Sequence, residues 1–211
     1  MTNKERVLNA IEVLKGIYPK AMCSLEYTDP FELLVATRLS AQCTDARVNL
    51  VTPELFSTYK TLDDYANANL EDVERIIKSC GFYHDKAKSI IGMAAMVRDE
   101  FGGVVPDNIE DLIKLPGVGR KTANLIVGDV YGKESIVVDT HMIRIANRIG
   151  LVKVKEPVKI EAALKKVVPV EEGADFCHRI VFFGREYCSA RKPRCGECPM
   201  SFNCKKVGVE K

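Results

Sequence analysis

The sequence has no long apolar run and little net charge, and these absences narrow the classes of protein that it can encode. No stretch of about 18 apolar residues occurs in the 211 residues, so we expect no transmembrane helix and no membrane partner. Residues 1–6 lead into an amphipathic pattern without the apolar core of a signal peptide, so we expect a cytoplasmic protein. The net charge of +2 does not by itself indicate a protein that binds nucleic acid.

The sequence also lacks the two-residue alternation of apolar side chains that is typical of β-strands. Apolar residues instead recur at short helical steps from Val7 to Ile17, which indicates an N-terminal helix. Caps, prolines and glycines then bound ten further segments of helical pattern, so we predict an all-α fold. These segments are 31–39, 46–59, 62–66, 70–79, 86–101, 107–114 with Asp107 as its capping residue, 120–131, 140–149, 158–167 and 173–187.

Cysteine is present in two distributions. Four of the eight cysteines are scattered along the chain and are interpreted as small buried side chains, whereas the other four lie within 17 residues. Because a cytoplasmic protein keeps its thiols reduced, the tight group predicts a metal site, which these spacings leave open between zinc and a 4Fe–4S cluster. The clustered cysteines are Cys188, Cys195, Cys198 and Cys204, and the scattered ones are Cys23, Cys43, Cys80 and Cys177.

Residues 112–123 join two short helical segments through a turn that contains Gly117 and Gly119. Glycine lets the backbone turn sharply and lets a phosphate approach main-chain N–H groups, and the next helix begins near Arg120 with its N–H groups at the same place. The pattern is therefore either a phosphate-binding hairpin or a plain helix-packing corner.

Two residues near this hairpin are candidates for chemistry. Lys121 lies in the first turn of the second helix, where the helix N-terminus and an expected partial burial favour a neutral, nucleophilic amine; the alternative is a surface lysine that contacts phosphate. Asp139 follows three β-branched residues and precedes a helix, a position that also suits an ordinary N-cap.

Several separate segments resemble the endonuclease III family of DNA glycosylases. Leu-Pro-Gly-Val-Gly-Arg-Lys-Thr-Ala at 115–123 looks like its helix–hairpin–helix, and Val-Asp-Thr-His at 138–141 looks like its catalytic aspartate segment. Residues 39–45 and 81–87 and the cysteine spacing at 188–204 also match. The resemblance runs from about residue 20 to the last clustered cysteine.

The resemblance implies a two-lobed helix–hairpin–helix DNA glycosylase fold with a C-terminal 4Fe–4S cluster loop. We expect a six-helix barrel domain over residues 22–132, with the hairpin at about 107–131. Residues 1–21 and 133–211 would form the cluster domain. The implied cofactor is one 4Fe–4S cluster, held by the clustered cysteines.

The same resemblance implies the reaction. Lys121 would displace the damaged base and form an imine with the sugar, Asp139 would stabilise the positive charge that develops on the sugar, and β-elimination would cut the strand. The implied partner is double-stranded DNA that contains damaged pyrimidines or abasic sites, bound by a nucleoid-associated monomer. The alternatives are a monofunctional adenine or thymine mismatch glycosylase, which generally lacks the lysine, and a non-catalytic DNA-binding module.

The remaining site residues are assigned by the matching segments. Gln42 would fill the gap that a flipped nucleotide leaves, and Phe82, where relatives often have leucine, would wedge between bases. Ser40, Thr44, Tyr83 and His141 would line the lesion pocket, although Tyr83 also suits a packed loop aromatic and His141 a structural hydrogen bond. The other residues expected to contact DNA are Gly117, Val118, Gly119, Arg120, Arg191, Lys192 and Arg194.

Overall fold

The computed structural model describes residues 1–209, and within this range the chain is helical with no β-strand, which confirms the all-α prediction. Three short 3₁₀ turns accompany the α-helices, at Lys78–Cys80, Val170–Glu172 and Ser201–Asn203. None of the helices in the described range is long and apolar enough to cross a membrane. The helices are α1 Asn3–Ile17, α2 Pro30–Ser40, α3 Asp45–Thr58, α4 Leu62–Ala66, α5 Leu70–Ile77, α6 Tyr83–Glu100, α7 Ile109–Leu112, α8 Arg120–Asp129, α9 Thr140–Ile149, α10 Pro157–Lys165 and α11 Gly173–Glu186.

The sequence signals for helix starts act as expected at α2. Asp29 Oδ1 accepts hydrogen bonds from the backbone N–H groups of Phe31 at 2.7 Å and Glu32 at 2.9 Å. Pro30 occupies the first helical position, where a missing N–H costs nothing. A capping residue and a proline together therefore begin the most deeply buried helix of its unit.

The predicted start of α7 is wrong. Asn108, not Asp107, is the capping residue, and its Oδ1 accepts from the backbone N–H of Asp111 at 2.9 Å. The helix ends at Leu112, three residues before the side chain of Leu115 turns into the core at 2% exposure. After Leu112 the chain continues in i→i+3 turns, and Pro116 disfavours a helical conformation at the residue before it, so α7 is shorter than the predicted 107–114.

The chain divides into two compact units, Cys23–Tyr131 and Met1–Met22 with Gly132–Lys211. We call them the inserted unit and the terminal unit. The first contains α2 to α8, and the second contains α1 and α9 to α11. Their description as a six-helix barrel domain and a cluster domain remains a prediction.

In the inserted unit, α2 is buried on nearly all sides, because its middle is almost entirely apolar. Helix α6 packs against α2, α4 and α5. In the terminal unit, α11 packs against α1 and α9 and contributes the fully buried rings of Phe176 and Phe183. Each unit therefore has its own apolar core, from which the candidate site segments project.

Candidate functional site

The hairpin of the inserted unit is shaped by one glycine that no other residue could replace without strain. Gly117 has φ +76°, and a Cβ there would lie 2.7 Å from Arg38 Nε and 3.0 Å from Ser89 Oγ. Leu115 and Val118, 2% and 8% exposed, anchor the two sides of the turn in the core. The turn is therefore rigid although its tip lies on the surface.

Helix α8 begins directly after this turn. Gly119 is its N-cap, with no side-chain hydrogen bond to the first turn, so the N-terminal N–H groups of α8 are not covered by a capping side chain. Arg120 and Lys121 are exposed beside them. The partial burial expected for Lys121 is wrong, because the residues at the tip, 119–121, are all exposed. Uncovered N–H groups, a helix dipole and two cations form a site suited to phosphate.

Two further segments of the inserted unit present exposed side chains from strained backbone. Gln42 has φ +55° and Phe82 has φ +47°, although neither is glycine. Such conformations cost about 1–3 kcal/mol each and occur preferentially where function requires them. Phe82 is 65% exposed, so its ring is accessible, as a wedge between bases requires.

A buried lysine that the sequence analysis left without a role lies beneath these two segments. Lys86 is 1% exposed, and its Nζ donates to the carbonyl oxygens of Leu39 at 2.8 Å and Cys80 at 2.9 Å. Burial lowers the pKa of this amine. Its sequence signals are its place in the matching segment 81–87 and a cation on the apolar face of α6, and neither identifies its partners.

The residues predicted to line a lesion pocket have local structural partners. Thr44 caps α3 by accepting from the backbone N–H of Arg47 at 3.2 Å, and Ser40 Oγ donates to the carbonyl oxygen of Thr37 at 3.0 Å. Tyr83 is half-buried, with its ring centroid 4.1 Å from that of His84. These contacts fix their positions, and their role in binding a base stays a prediction.

In the terminal unit, Asp139 is the N-cap of α9. Its Oδ1 accepts from the backbone N–H of Met142 at 2.8 Å, so Asp139 is the predicted N-cap. The preceding segment is held by α11, because the N–H of Val137 donates to Cys177 Sγ at 3.2 Å. A Cβ at Gly173 would lie 2.5 Å from the carbonyl oxygen of Ser135, so α11 approaches this segment closely. The carboxylate is thereby held in one orientation.

His141, in the first turn of α9, contacts an arginine. Its Nδ1 lies 3.0 Å from Arg144 Nη2, and Arg144 Nε donates to the carbonyl oxygen of Cys188 at 2.9 Å. This contact favours the structural interpretation of His141. The imidazole therefore lies in a chain of contacts that reaches the first clustered cysteine.

The clustered cysteines line one pocket of the terminal unit. Burial raises the pKa of the Cys198 and Cys204 thiols, and bound metal favours the thiolate instead. Among residues 1–209, no three His, Cys, Asp or Glu side chains lie close enough to hold a single metal ion. Four soft sulfur donors around a common cavity fit an iron–sulfur cluster.

One guanidinium holds the first clustered cysteine and the two residues after it. Arg148 is 9% exposed, and it donates from Nη1 to the carbonyl oxygen of Ser189 at 2.7 Å and from Nη2 to that of Ala190 at 2.8 Å. Nη1 also lies 3.3 Å from Cys188 Sγ. A charged donor at a ligating sulfur stabilises its thiolate form. The sequence predicts no role for Arg148, because a cation among the apolar residues of α9 does not identify its partners.

The loop after Cys188 presents the predicted cations. Arg191, Lys192 and Arg194 are exposed, and Ser189 Oγ donates to the carbonyl oxygen of Lys192 at 2.7 Å to shape the loop. Arg194 forms an ion pair with Glu197. Arg194 would have to exchange this partner to bind a phosphate.

Comparison with known proteins agrees with this arrangement. Residues 35–170 match the family described as HhH-GPD superfamily base excision DNA repair protein, and residues 188–204 match the iron-sulfur binding domain of endonuclease III. Endonuclease III of Bacillus subtilis is 44% identical over 206 residues, which cover 97% of this chain and 94% of that protein. Endonuclease III of Synechocystis sp. is 44% identical over 204 residues, or 96% and 93% of the two chains.

A solved structure of a trapped endonuclease III–DNA covalent intermediate superposes with a TM-score of 0.89 at 42% identity, covering 98% of this chain and 97% of that one. The iron–sulfur cofactor and the helix–hairpin–helix fold that the sequence predicts are thereby confirmed. The mismatch-glycosylase and binding-module alternatives are less supported. The chain belongs to the HhH-GPD superfamily of base excision DNA repair proteins, and within it to the endonuclease III family of DNA glycosylase/AP lyases.

Proposed function

We propose that the protein removes oxidised pyrimidines from duplex DNA and then cuts the strand through an imine on Lys121. The observation that carries the assignment is the position of this exposed amine in the first turn of α8, directly after Gly117 and Gly119. A phosphate held by the N–H groups of that turn would bring a nucleotide to the amine. We further propose that the enzyme acts as a monomer.

The chemistry follows from an amine nucleophile and a carboxylate. The Lys121 nitrogen forms a bond to the anomeric carbon while the bond to the base breaks, and Asp139 stabilises the positive charge on the sugar. Asp139 also helps to remove the proton that the amine loses, and the base leaves protonated. Ring opening gives the imine, and loss of a proton from the neighbouring carbon then expels the 3′ phosphate.

Access to the anomeric carbon requires the nucleotide to leave the base stack. Gln42 has both donors and an acceptor, so it suits the gap opposite several orphan bases. Phe82 wedges beside that gap, while Ser40, Thr44 and Tyr83 line the pocket for the flipped base. The hairpin residues, from Gly117 to Arg120, grip the phosphates without reading sequence.

The clustered cysteines hold a 4Fe–4S cluster whose role is structural, because it ties together a segment that has little regular structure of its own. Arg191, Lys192 and Arg194 are thereby presented to the DNA backbone as a fixed group of cations. Residues 22–132 act as the barrel domain, and residues 1–21 with 133–211 act as the cluster domain.

Borohydride trapping tests the nucleophile. The protein is incubated with a duplex that carries thymine glycol or an abasic site, borohydride is added, and a covalent protein–DNA band is expected. Lys121→Gln should abolish the band, whereas Lys114→Gln, which changes an exposed lysine on the other side of the hairpin, should retain it.

Each other outcome selects an alternative. Release of free base without a band would indicate a monofunctional glycosylase and remove Lys121 from the mechanism. Duplex binding with neither band nor base release would favour a DNA-binding module. Preference for a G·A or G·T mismatch over thymine glycol would contradict the assignment of oxidised pyrimidines, and sedimentation of the free enzyme as a dimer would contradict the monomer.

A further inference from the structure

Lys86 is bonded to both segments that carry the exposed residues Gln42 and Phe82. Its Nζ donates to the carbonyl oxygen of Leu39, 47 residues away in the sequence, and to that of Cys80. Its backbone N–H donates to the carbonyl oxygen of Phe82 at 3.1 Å. One side chain therefore joins the end of α2 to the turn that precedes α6.

The burial of this amine is informative because it is expensive. Lys86 is 1% exposed, and a buried cation is tolerated only where polar partners replace its water. Its two carbonyl partners lie in the two segments, which the thiols of Cys43 and Cys80 also connect through a weak side-chain hydrogen bond. An apolar side chain could fill the same volume, but it would leave both carbonyl groups without this donor.

The two joined segments continue directly into the strained positions. Gln42 follows Leu39 by three residues and Phe82 follows Cys80 by two, and both have positive φ. Cys43 N–H donates to the carbonyl oxygen of Ser40 at 3.1 Å, which closes the turn around Gln42. Because each segment is short and closed by hydrogen bonds, a shift of the end that Lys86 holds also shifts Gln42 or Phe82 at its tip.

We propose that Lys86 is a positioning residue that sets the distance between Gln42 and Phe82, so that both enter the duplex in one step. The proposal rests on the proposed function, in which these two residues fill the gap and wedge the stack. Lys86 touches neither DNA nor the reacting atoms; it acts through the two segments. Displacing a reacting group by about 1 Å can cost about 100-fold in rate, and we expect a loss of that order when the bridge is removed.

The test compares Lys86→Met with Lys88→Met, an exposed neighbour on the same helix, and with Val97→Ala, a buried change at the other end of α6. Two substrates are used: thymine glycol in duplex, which requires flipping, and an abasic site in single-stranded DNA, which does not. We expect Lys86→Met to lose about 100-fold on the duplex and to retain single-strand cleavage. Both controls should keep the ratio of the two activities.

A double-mutant cycle makes the test specific. If Lys86 acts through the two tips, its substitution should have little further effect on duplex excision in a protein that already carries Gln42→Ala and Phe82→Ala. Full additivity of the effects would overturn the proposal, as would an unchanged ratio of duplex to single-strand activity in Lys86→Met. If Lys86→Met does not fold by circular dichroism, Lys86→Arg, which keeps the charge and donors but changes their reach, replaces it in the same cycle.

Failure of this inference is distinguishable from failure of the proposed function. The unsubstituted enzyme must cleave the single-stranded abasic substrate and form the borohydride-trapped band; without these the proposed function fails first. With both present, only the duplex-specific loss and its non-additivity depend on Lys86.

Discussion

The hairpin at 112–123 and the cysteine segment at 188–204 both present cations to solvent, but they are held in different ways. In the hairpin, Leu112, Leu115, Val118 and Ala123 are buried in the core of the inserted unit, and helices flank the turn on both sides. The cysteine segment has one 3₁₀ turn, and within it only Met200 and Asn203 are buried.

The comparison shows two solutions to one requirement. In a rigid surface loop, the backbone N–H and C=O groups must find hydrogen-bond partners. Its contacts must also offset the conformational entropy that the chain loses when it becomes ordered. The hairpin does so through buried apolar side chains, whereas the cysteine segment depends on Arg148, on buried polar contacts and on metal ligation. We therefore expect the two regions to respond to different perturbations.

The largest expected effect is the loss of a cysteine ligand. Cys198→Ser should lower the iron content from about four atoms per chain toward zero and strongly reduce amide-exchange protection over residues 187–209, since folding there is coupled to ligation. Protection of residues 107–131 should not change. Cys23→Ser, at a half-buried cysteine of the inserted unit, should keep the iron. Equal loss of amide-exchange protection in both regions would show that the hairpin also depends on the cluster.

Arg148→Met should have the next largest effect. A hydrogen bond from a charged group contributes about 1.5–3 kcal/mol, so losing the bonds to the carbonyl oxygens of Ser189 and Ala190 should lower the free energy of unfolding of the terminal unit in urea by about 3 kcal/mol or more. Lys159→Met, on the exposed face of α10, should change stability by less than about 0.5 kcal/mol. An Arg148 effect as small as that of Lys159 would show that the cluster alone holds the segment.

Gly117→Ala tests the hairpin in the same way. Alanine at this positive φ and beside Arg38 should lower the free energy of unfolding by about 1–3 kcal/mol. It should also weaken duplex binding, while the visible absorbance of the cluster stays unchanged. Gly119→Ala is a matched control for stability, since no atom lies within 4 Å of a Cβ there and its φ is −99°. Equal destabilisation by the two changes would remove the argument from Gly117 geometry.

The smallest expected effect concerns the helix before the hairpin. Asn108→Ala should lower stability by about 0.5–2 kcal/mol through loss of the cap, whereas Asp107→Ala should have a smaller effect. Thermal unfolding of the two variants decides between them. A larger loss for Asp107→Ala would restore the sequence-based assignment of the cap.

Local signals account for what could be predicted. The bounds of α4 and α9 agree with the predicted segments, because caps and apolar spacing act within a few residues of each helix end. The segment predicted at 86–101 begins earlier, at Tyr83, because Phe82 adopts a left-handed conformation that the sequence pattern does not reveal. The exposure of Lys121 was also missed, since burial depends on how far the hairpin tip projects from the core.

The sequence by itself determined the helical class, the cysteine spacing and the family, because periodicity and motif order are properties of the chain alone. Only the tertiary structure decided what Lys86 and Arg148 do. Each is a cation on an apolar helix face, a pattern that gives no partner by itself. Each donates to at least one backbone carbonyl group about 40 or more residues away, and backbone groups have no sequence signature.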